Sequence, residues 1–163
     1  MNPTGGGTTN LIVNGGFETG AASPWTLTAG VLNNSTSEPA HTGAWDAWLD
    51  GYGTSHTDSA TQTVTISSTA TSANLVFWLH IDTAETTTTT AFDVLTVQVL
   101  NSANTVIGTL GSFSNLNKAA GYQQHTFSVL SFKGQTVKIR FIGTEDTSLQ
   151  TSFVLDDIAL NVQ

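Results

Sequence analysis

Cysteine is absent from this chain, and basic side chains are scarce. Without cysteine there is no disulfide from which to read the redox compartment, and a thiol nucleophile is excluded. Only 4 lysine and arginine residues stand against 12 aspartate and glutamate residues, which gives a net charge of -8. Because such a chain repels polyanions, we expect no nucleic acid and no anionic membrane surface among its partners.

Long apolar runs are also missing. No segment approaches the roughly 18 residues of a membrane span, so we expect no membrane insertion. No signal peptide is visible, and residues 1–9 resemble an initiator methionine followed by a Gly/Thr linker. We therefore expect residues 1–9 to be a linker and residues 10–163 to form one domain taken from a longer, secreted protein.

Catalytic signatures are the third absence. The sequence contains no Gly-x-Ser-x-Gly, no His-Glu-x-x-His and no phosphate loop. The acidic pairs Glu145-Asp146 and Asp156-Asp157 are adjacent, and adjacent residues of a strand point to opposite faces. They would not face each other across a glycosidic bond. We expect that the protein is not an enzyme.

Short segments of alternating polarity, rich in threonine, make up most of the chain, and turn signals such as Asn14-Gly-Gly16 and Asp50-Gly-Tyr-Gly53 separate them. In residues 75–82, the apolar Leu75, Phe77, Leu79 and Ile81 share one face. The last segment, residues 152–160, is apolar on both faces, which favours a central strand. This pattern predicts an all-β, two-sheet antiparallel jelly-roll β-sandwich.

Carboxylates stand beside apolar segments at both ends of the chain, in Asn14-Gly-Gly-Phe-Glu18 and in Phe153-Val-Leu-Asp-Asp-Ile158. Calcium takes about six to eight oxygen ligands. Glu18 and Asp156 could supply charge, and freed carbonyls around Gly16 and the His41-Thr42-Gly43 turn could complete the shell. The alternative is that these carboxylates are solvated strand ends. Between Asp156 and Asp157, alternation places Asp156 in the apolar row and favours it as the ligand, because a buried carboxylate needs a cation.

These segments, together with Trp25, resemble the carbohydrate-binding modules of the 4/9 and 22 type. They also resemble the related galactose-binding-like jelly rolls, including MAM domains. In that group a structural calcium lies where the first and last strands meet. The resemblance implies Ca2+ as a cofactor, with Glu18 and Asp156 as side-chain ligands and carbonyls near Gly16 and Thr42.

A narrower resemblance rests on two longer segments, residues 47–58 and residues 79–87. Ala47-Trp-Leu-Asp-Gly-Tyr-Gly53 with His56-Thr-Asp58, and Leu79-His-Ile-Asp-Thr-Ala-Glu-Thr-Thr87, are similar to C-terminal accessory domains of secreted bacterial peptidases. Those enzymes include subtilisin-like and kumamolisin-like peptidases. The resemblance implies an extracellular location and parent enzyme domains in the same chain.

The same two segments contain a second group of polar side chains. If their strands pair, the following residues gather: His56, Asp58, His80, Asp82 and Glu85. We favour a hydrogen-bonded polar cluster that holds a long loop, in which histidine is donor and acceptor. A second calcium site and a zinc site are the alternatives. Glu145-Asp146 is a candidate addition from the loop before the last strand.

Aromatic rings decide whether a sugar can stack on the domain. The candidates are Trp48, Tyr52, Trp78 and Tyr122, whereas Trp25 is expected in the core. Together these features predict a non-catalytic, calcium-stabilised accessory module of a secreted bacterial hydrolase, in particular a peptidase. The alternatives are a genuine carbohydrate-binding module, with a polysaccharide partner, and a structural or adhesion domain that binds calcium alone.

Overall fold

The computed structural model describes residues 7–163. Within these residues the chain forms β1 (Thr9–Asn10), β2 (Thr26–Leu27), β3 (Leu32–Asn33), β4 (Asp46–Asp50), β5 (His56–Thr65), β6 (Ala73–Thr83), β7 (Val94–Leu100), β8 (Val106–Ser114), β9 (Gln123–Ser128), β10 (Thr136–Glu145) and β11 (Thr151–Val162). Short 3-10 helices cover Asn115–Asn117 and Leu130–Phe132. Among the described residues, no helix has the length and apolar character needed to cross a membrane.

The strands form two antiparallel sheets. The first sheet has the order β3-β4-β11-β6-β9, with β1 also paired to β11, and the second has the order β2-β5-β10-β7-β8. Among the described strands, β3-β4 and β7-β8 are consecutive neighbours, and the other neighbouring strands are distant in sequence, as expected when a chain winds back and forth between two layers. This architecture confirms the predicted all-β, two-sheet antiparallel sandwich.

Alternation of burial follows the predicted pattern in the long strands. In β6, Leu75, Phe77 and Leu79 are buried between the sheets, while Trp78 and His80 on the opposite face are partly exposed. β7 and β10 show the same alternation of buried and partly exposed residues. Each strand therefore contributes one apolar row to a shared core, which is the main stabilising term in such a sandwich.

β11 is the central strand of the first sheet, as its two apolar faces predicted. It pairs with β4 on one side and with β6 on the other, and both Val154 and Leu155 are fully buried. Its end also pairs with the start of the chain, because Thr9 lies opposite Val162. The first and last strands are therefore hydrogen-bonded neighbours, and residues 1–6 of the predicted linker lie outside the described part.

The N-terminal loop contributes to the core through two aromatic side chains. Phe17 is fully buried and Trp25 is 3% exposed, with their ring centroids 5.5 Å apart. The indole N–H of Trp25 donates to the carbonyl of Asn14 at 2.9 Å. This contact confirms Trp25 as a core residue and holds the loop that contains the acidic motif.

Candidate functional site

The predicted terminal site lies where the N-terminal loop, the turn before β4 and a bulge in β11 meet. The bulge falls between Asp156 and Ala159, and Asp157 within it has a φ of 47°. Because a bulge breaks strict alternation, neighbouring side chains can be re-aimed toward one region. The backbone N–H of Thr42 donates to Oδ2 of Asp156 at 3.0 Å, and its hydroxyl donates to Oδ1 of Asp157 at 2.8 Å. Both aspartates thus contact the same turn residue.

Glu18 contacts the next residues of that turn. Its Oε1 accepts hydrogen bonds from the backbone N–H of Ala44 at 2.9 Å and of Trp45 at 2.8 Å. The carboxylate lies directly against Gly43, whose φ is 69°. These hydrogen bonds from two successive N–H groups hold the Glu18 carboxylate against the turn before β4, on the side where the two aspartates of β11 lie.

Gly16 lies between these acidic side chains. A Cβ at Gly16 would stand 3.3 Å from Oδ1 of Asp157, 3.7 Å from Oδ1 of Asp156 and 3.9 Å from Cγ of Glu18. The structure therefore places the residues of the predicted terminal site in one region, namely Gly16, Glu18, Thr42, Asp156 and Asp157, but the oxygens of its three carboxylates do not all lie within 4.8 Å of one another. Their oxygens are hard ligands of the kind that calcium prefers. Calcium binding itself stays a prediction.

Asp156 is the most buried carboxylate of this group, with no exposed surface. Burial raises the pKa of Asp156 from 3.8 to about 6, although the N–H bonds from Thr42 and Asp157 lower it. Asp157 is partly exposed, and its Oδ2 lies 2.7 Å from Nδ1 of His41. A cation beside Asp156 would favour its ionised form and offset the cost of burying it.

Asp46 adds a fourth carboxylate that sequence reasoning missed. It is fully buried at the start of β4; Oδ1 accepts from Nδ2 of Asn33 at 2.9 Å, and Oδ2 has no hydrogen-bond partner. Burial raises the pKa of Asp46 to about 7, the Asn33 bond lowers it, and the charge of Asp156 raises it further. The sequence did carry a signal for the orientation of Asp46. In a strand over these residues, Asp46 and Trp48 point to one face, and Ala47 and Leu49 point to the other.

The second predicted group does not form one cluster. β5 belongs to the second sheet and β6 to the first, so the strand pairing on which this cluster depended does not occur. His80 lies with its Nε2 3.7 Å from Oε2 of Glu38, whereas Asp82 accepts from the side chain of Gln150 at 3.3 Å. The group splits because strand alternation specifies the face of a side chain and carries no information about the partner strand.

Glu85 and the pair His56 and Asp58 lie elsewhere again. Glu85 is buried beyond the end of β6, where its backbone carbonyl accepts from Nζ of Lys118 at 3.3 Å. Nε2 of His56 is 3.0 Å from Oδ1 of Asp58, which is 1% exposed. Of the five predicted residues, only His56 and Asp58 contact each other through their side chains.

Four buried carboxylates lie between the sheets at the end of the sandwich where β4 and β10 end and β5 and β7 begin. We call Asp50, Asp58, Asp93 and Glu145 the inter-sheet acidic cluster. They are between 0% and 4% exposed. Sequence reasoning named Asp58 and proposed Glu145 as an addition; it missed Asp93 and treated Asp50 as part of a turn.

Three members of this cluster accept backbone hydrogen bonds. Glu145 accepts from the N–H of Thr151 at 2.9 Å, Asp58 from that of Asp50 at 2.9 Å, and Asp93 from that of Asp146 at 2.8 Å. The side chain of Asp50 differs, because neither of its carboxylate oxygens has a hydrogen-bond partner. Burial raises the pKa of Asp50 to about 8, and the charges of Asp58 and Glu145 raise it further.

The four aromatic candidates form two pairs. Trp78 stacks on His41 with ring centroids 4.1 Å apart, and the Tyr122 hydroxyl donates to the carbonyl of Pro39 at 2.9 Å. The segment before β4 therefore covers both of these rings in part. This placement leaves less of Trp78 and Tyr122 available as a stacking platform.

Trp48 and Tyr52 form the more accessible pair. Tyr52 is 52% exposed, and its ring centroid lies 4.0 Å from that of His56. Both aromatic residues line a cavity of about 180 Å³, together with Gly30, Asp50 and Gly51. The indole N–H of Trp48 is buried without a hydrogen-bond partner. A planar exposed ring beside a small polar cavity has the form of a sugar-stacking platform.

Comparison with solved structures assigns the fold. The chain superposes on TmCBM61, solved in complex with beta-1,4-galactotriose, with a TM-score of 0.65 and 20% identity over 95% of this chain and 99% of that chain. The K3 cleaved adhesin domain of Lys-gingipain from Porphyromonas gingivalis gives a TM-score of 0.64 and 16% identity over 95% and 99%. Family 16 carbohydrate binding module-2 gives a TM-score of 0.55 and 21% sequence identity over 93% of this chain and 99% of that chain.

These similarities define the class of the domain: a β-sandwich with the fold of carbohydrate-binding modules and gingipain adhesin domains. The predicted jelly roll of carbohydrate-binding-module type is confirmed at the level of fold. No protein-family model matches the sequence, and the search of curated proteins gave no match. The association with secreted peptidases stays a prediction.

Proposed function

We propose that this chain is a non-catalytic, calcium-stabilised module that binds a glycan on the surface around Trp48 and Tyr52. The observation that carries the proposal is the exposed Tyr52 ring beside a cavity of about 180 Å³ on a sandwich of carbohydrate-binding-module fold. Exposed aromatic rings stack on the apolar faces of pyranoses, and nearby polar groups bind the hydroxyls.

The calcium part of the proposal is supported by the convergence of Glu18, Asp156 and Asp157 at Gly16. Within residues 7–163, every ion pair to a carboxylate involves a histidine, so no lysine or arginine neutralises these groups. A divalent cation supplies the missing charge and joins the N-terminal loop to β11. Calcium therefore acts as a stabilising element, and recognition takes place elsewhere on the domain.

We further propose that the module belongs to a secreted bacterial hydrolase, in particular a peptidase, and holds that enzyme near a glycan-bearing substrate. This part rests on the sequence resemblance of residues 47–58 and 79–87 to peptidase accessory domains. A second candidate is a structural or adhesion domain that binds calcium alone, which the similarity to a gingipain adhesin domain favours.

Affinity electrophoresis against a panel of galactan, xylan, mixed-linkage glucan, chitin and peptidoglycan fragments tests the glycan proposal. We expect retention on at least one polysaccharide and its loss in Tyr52→Ala. Phe92→Ala is the matched control, because Phe92 is also exposed, at 45%, but does not line the cavity. Absence of retention across the panel, or equal retention of both variants, contradicts the proposal and favours the calcium-only domain.

A further inference from the structure

The side chain of Asp50 is the least satisfied polar group in the described core. It is 4% exposed, and both carboxylate oxygens are buried without a hydrogen-bond partner. A buried carboxylate in this condition is costly unless a proton or a cation compensates it. The protein's own hydrogen-bond donors do not compensate Asp50, which leaves a proton or a bound cation to do so.

The backbone directs this side chain into the space between the sheets. Asp50 ends β4 with a φ of 62°, a left-handed conformation that breaks the alternation of the strand. The carboxylate lies against Gly143 of β10, at the position that any larger side chain there would occupy. The positive φ of Asp50 therefore coincides with a glycine that leaves room for its carboxylate between the sheets.

Two further ligand groups face Asp50. Asp58 and His56 lie on β5 of the second sheet, and one ligand atom from each of the three residues falls within 4.8 Å of the others. Nε2 of His56 and Oδ1 of Asp58 are 3.0 Å apart. Side-chain exposure of 32% at His56 gives a route from solvent, while the two aspartates lie behind it.

We propose that Asp50, Asp58 and His56 form a binding site for a divalent transition-metal ion, separate from the terminal calcium site. One imidazole and two carboxylates make the mixed nitrogen and oxygen donor set that zinc and related ions use, whereas calcium takes an all-oxygen shell of about six to eight ligands. With three protein ligands, the remaining coordination positions would be taken by water at the exposed His56 edge.

The surrounding charges favour a cation at this position. Glu145 and Asp93 are buried nearby, and the charges of both raise the pKa of Asp50. Neither belongs to the group of side chains whose ligand atoms lie within 4.8 Å of one another, so they act as an anionic surround and not as additional ligands. A divalent ion compensates this concentration of negative charge, which no lysine or arginine of residues 7–163 does through an ion pair.

Calorimetric titration of chelator-treated full-length protein with zinc, and visible absorption after addition of cobalt(II), test the proposal. We expect one equivalent of zinc to bind at this site and cobalt to give the d–d bands of a site with nitrogen and oxygen ligands. Asp50→Asn keeps the shape of the side chain, and His56→Gln removes the imidazole ligand and leaves both carboxylates in place. Each substitution is expected to weaken zinc binding by 10-fold or more, roughly the loss seen when a supporting metal contact is removed.

Two control variants test whether zinc binds at the group of Asp50, His56 and Asp58 and not at another carboxylate. Asp82→Asn changes an exposed carboxylate outside the group, and Glu18→Gln changes the terminal site; both should bind zinc as the wild type does. Circular dichroism of each variant confirms that folding is retained. Absence of zinc and cobalt binding overturns the proposal. Unchanged binding in His56→Gln overturns the transition-metal assignment, and loss of binding in Glu18→Gln places the metal at the terminal site instead.

Discussion

The carboxylate of Glu18 occupies the space that a side chain at position 43 would need. Gly43 has a φ of 69°, and a Cβ built on it would overlap the carboxylate, which accepts hydrogen bonds from the next two backbone N–H groups of the turn. The glycine is therefore required for two reasons: its backbone conformation and its close approach to an acidic side chain. This relationship joins the N-terminal loop to the turn before β4.

Replacement of Gly43 by alanine should destabilise the domain by about 1–3 kcal/mol, since it adds backbone strain and moves the flexible Glu18 side chain away from the two N–H groups that it accepts from. Gly121→Ala is the matched control. Gly121 has a φ of 76°, but nothing lies within 4 Å of its Cβ position, so only the strain of about 1 kcal/mol is expected. Urea denaturation measures both variants. Equal losses would contradict the proposed contact with Glu18.

Calcium should raise the melting temperature of the wild-type protein. At about 100 times its dissociation constant, a ligand that binds only the folded state adds about 2.7 kcal/mol, or roughly 5–10 °C for a chain of this length. In Glu18→Gln and Asp156→Asn we expect most of this increase to disappear, because each removes a ligand charge. Differential scanning calorimetry with calcium or chelator measures the effect, with Asp82→Asn as the control. A full calcium shift in both variants would refute the terminal site.

The metal-free protein should lose stability as the pH rises. Burial raises the pKa of Asp46 from 3.8 to about 7, so the folded state holds a proton that the unfolded state releases. A raised carboxyl pKa favours the folded state at low pH, and this contribution is lost as the pH passes from about 4 to about 7. Burial also raises the pKa values of Asp156 and Asp50, so both contribute to stability in the same direction.

Urea midpoints measured in chelator at intervals across this pH range test that dependence. Asp46→Asn, which cannot ionise, should make the slope shallower. A midpoint that rises with pH in the wild type, or a slope unchanged in Asp46→Asn, would show that the buried carboxyl of Asp46 does not govern this behaviour.

Trp25→Phe should destabilise the domain even though an aromatic ring remains in the core. The substitution removes the 2.9 Å hydrogen bond to the carbonyl of Asn14 and leaves part of the indole space empty. We expect a loss of about 1–3 kcal/mol, the usual cost of an unmatched buried polar group. A lower urea midpoint with an unchanged m-value would support this; an unchanged midpoint would show that the bond contributes nothing.

The positions of the terminal acidic residues were predictable because each of them carries a local signal, whereas calcium binding at these residues stays a prediction. Glu18 follows a glycine-rich turn, Asp156 lies in an apolar row, and Thr42 belongs to a turn before a strand. The resemblance to calcium-containing jelly rolls connected these parts. What the sequence did not show was the bulge that brings Asp157 to the same turn as Asp156, because a bulge depends on the pairing of β11 with β6.

The second group shows the limit of such reasoning. His56 and His80 each lie on the face that alternation indicates, but their strands belong to opposite sheets. The cluster that did form includes Asp50, which the Asp50-Gly51 pair made appear to be an ordinary turn residue. Its inward direction follows from a positive φ, and the space it fills exists because Gly143 lies opposite.

The sequence by itself determined the strands, the buried face of each long strand and the acidic residues at the two ends, since all of these follow from period-two alternation and turn residues that act within a few positions. The tertiary structure alone decided which strands are neighbours, and with them which carboxylates meet. Sheet membership depends on hydrogen bonds between segments far apart in the chain, and no local pattern specifies such pairings. The residues Asp50, His56 and Asp58 are close in sequence, but they face each other because β4 and β5 lie in different sheets of the folded protein.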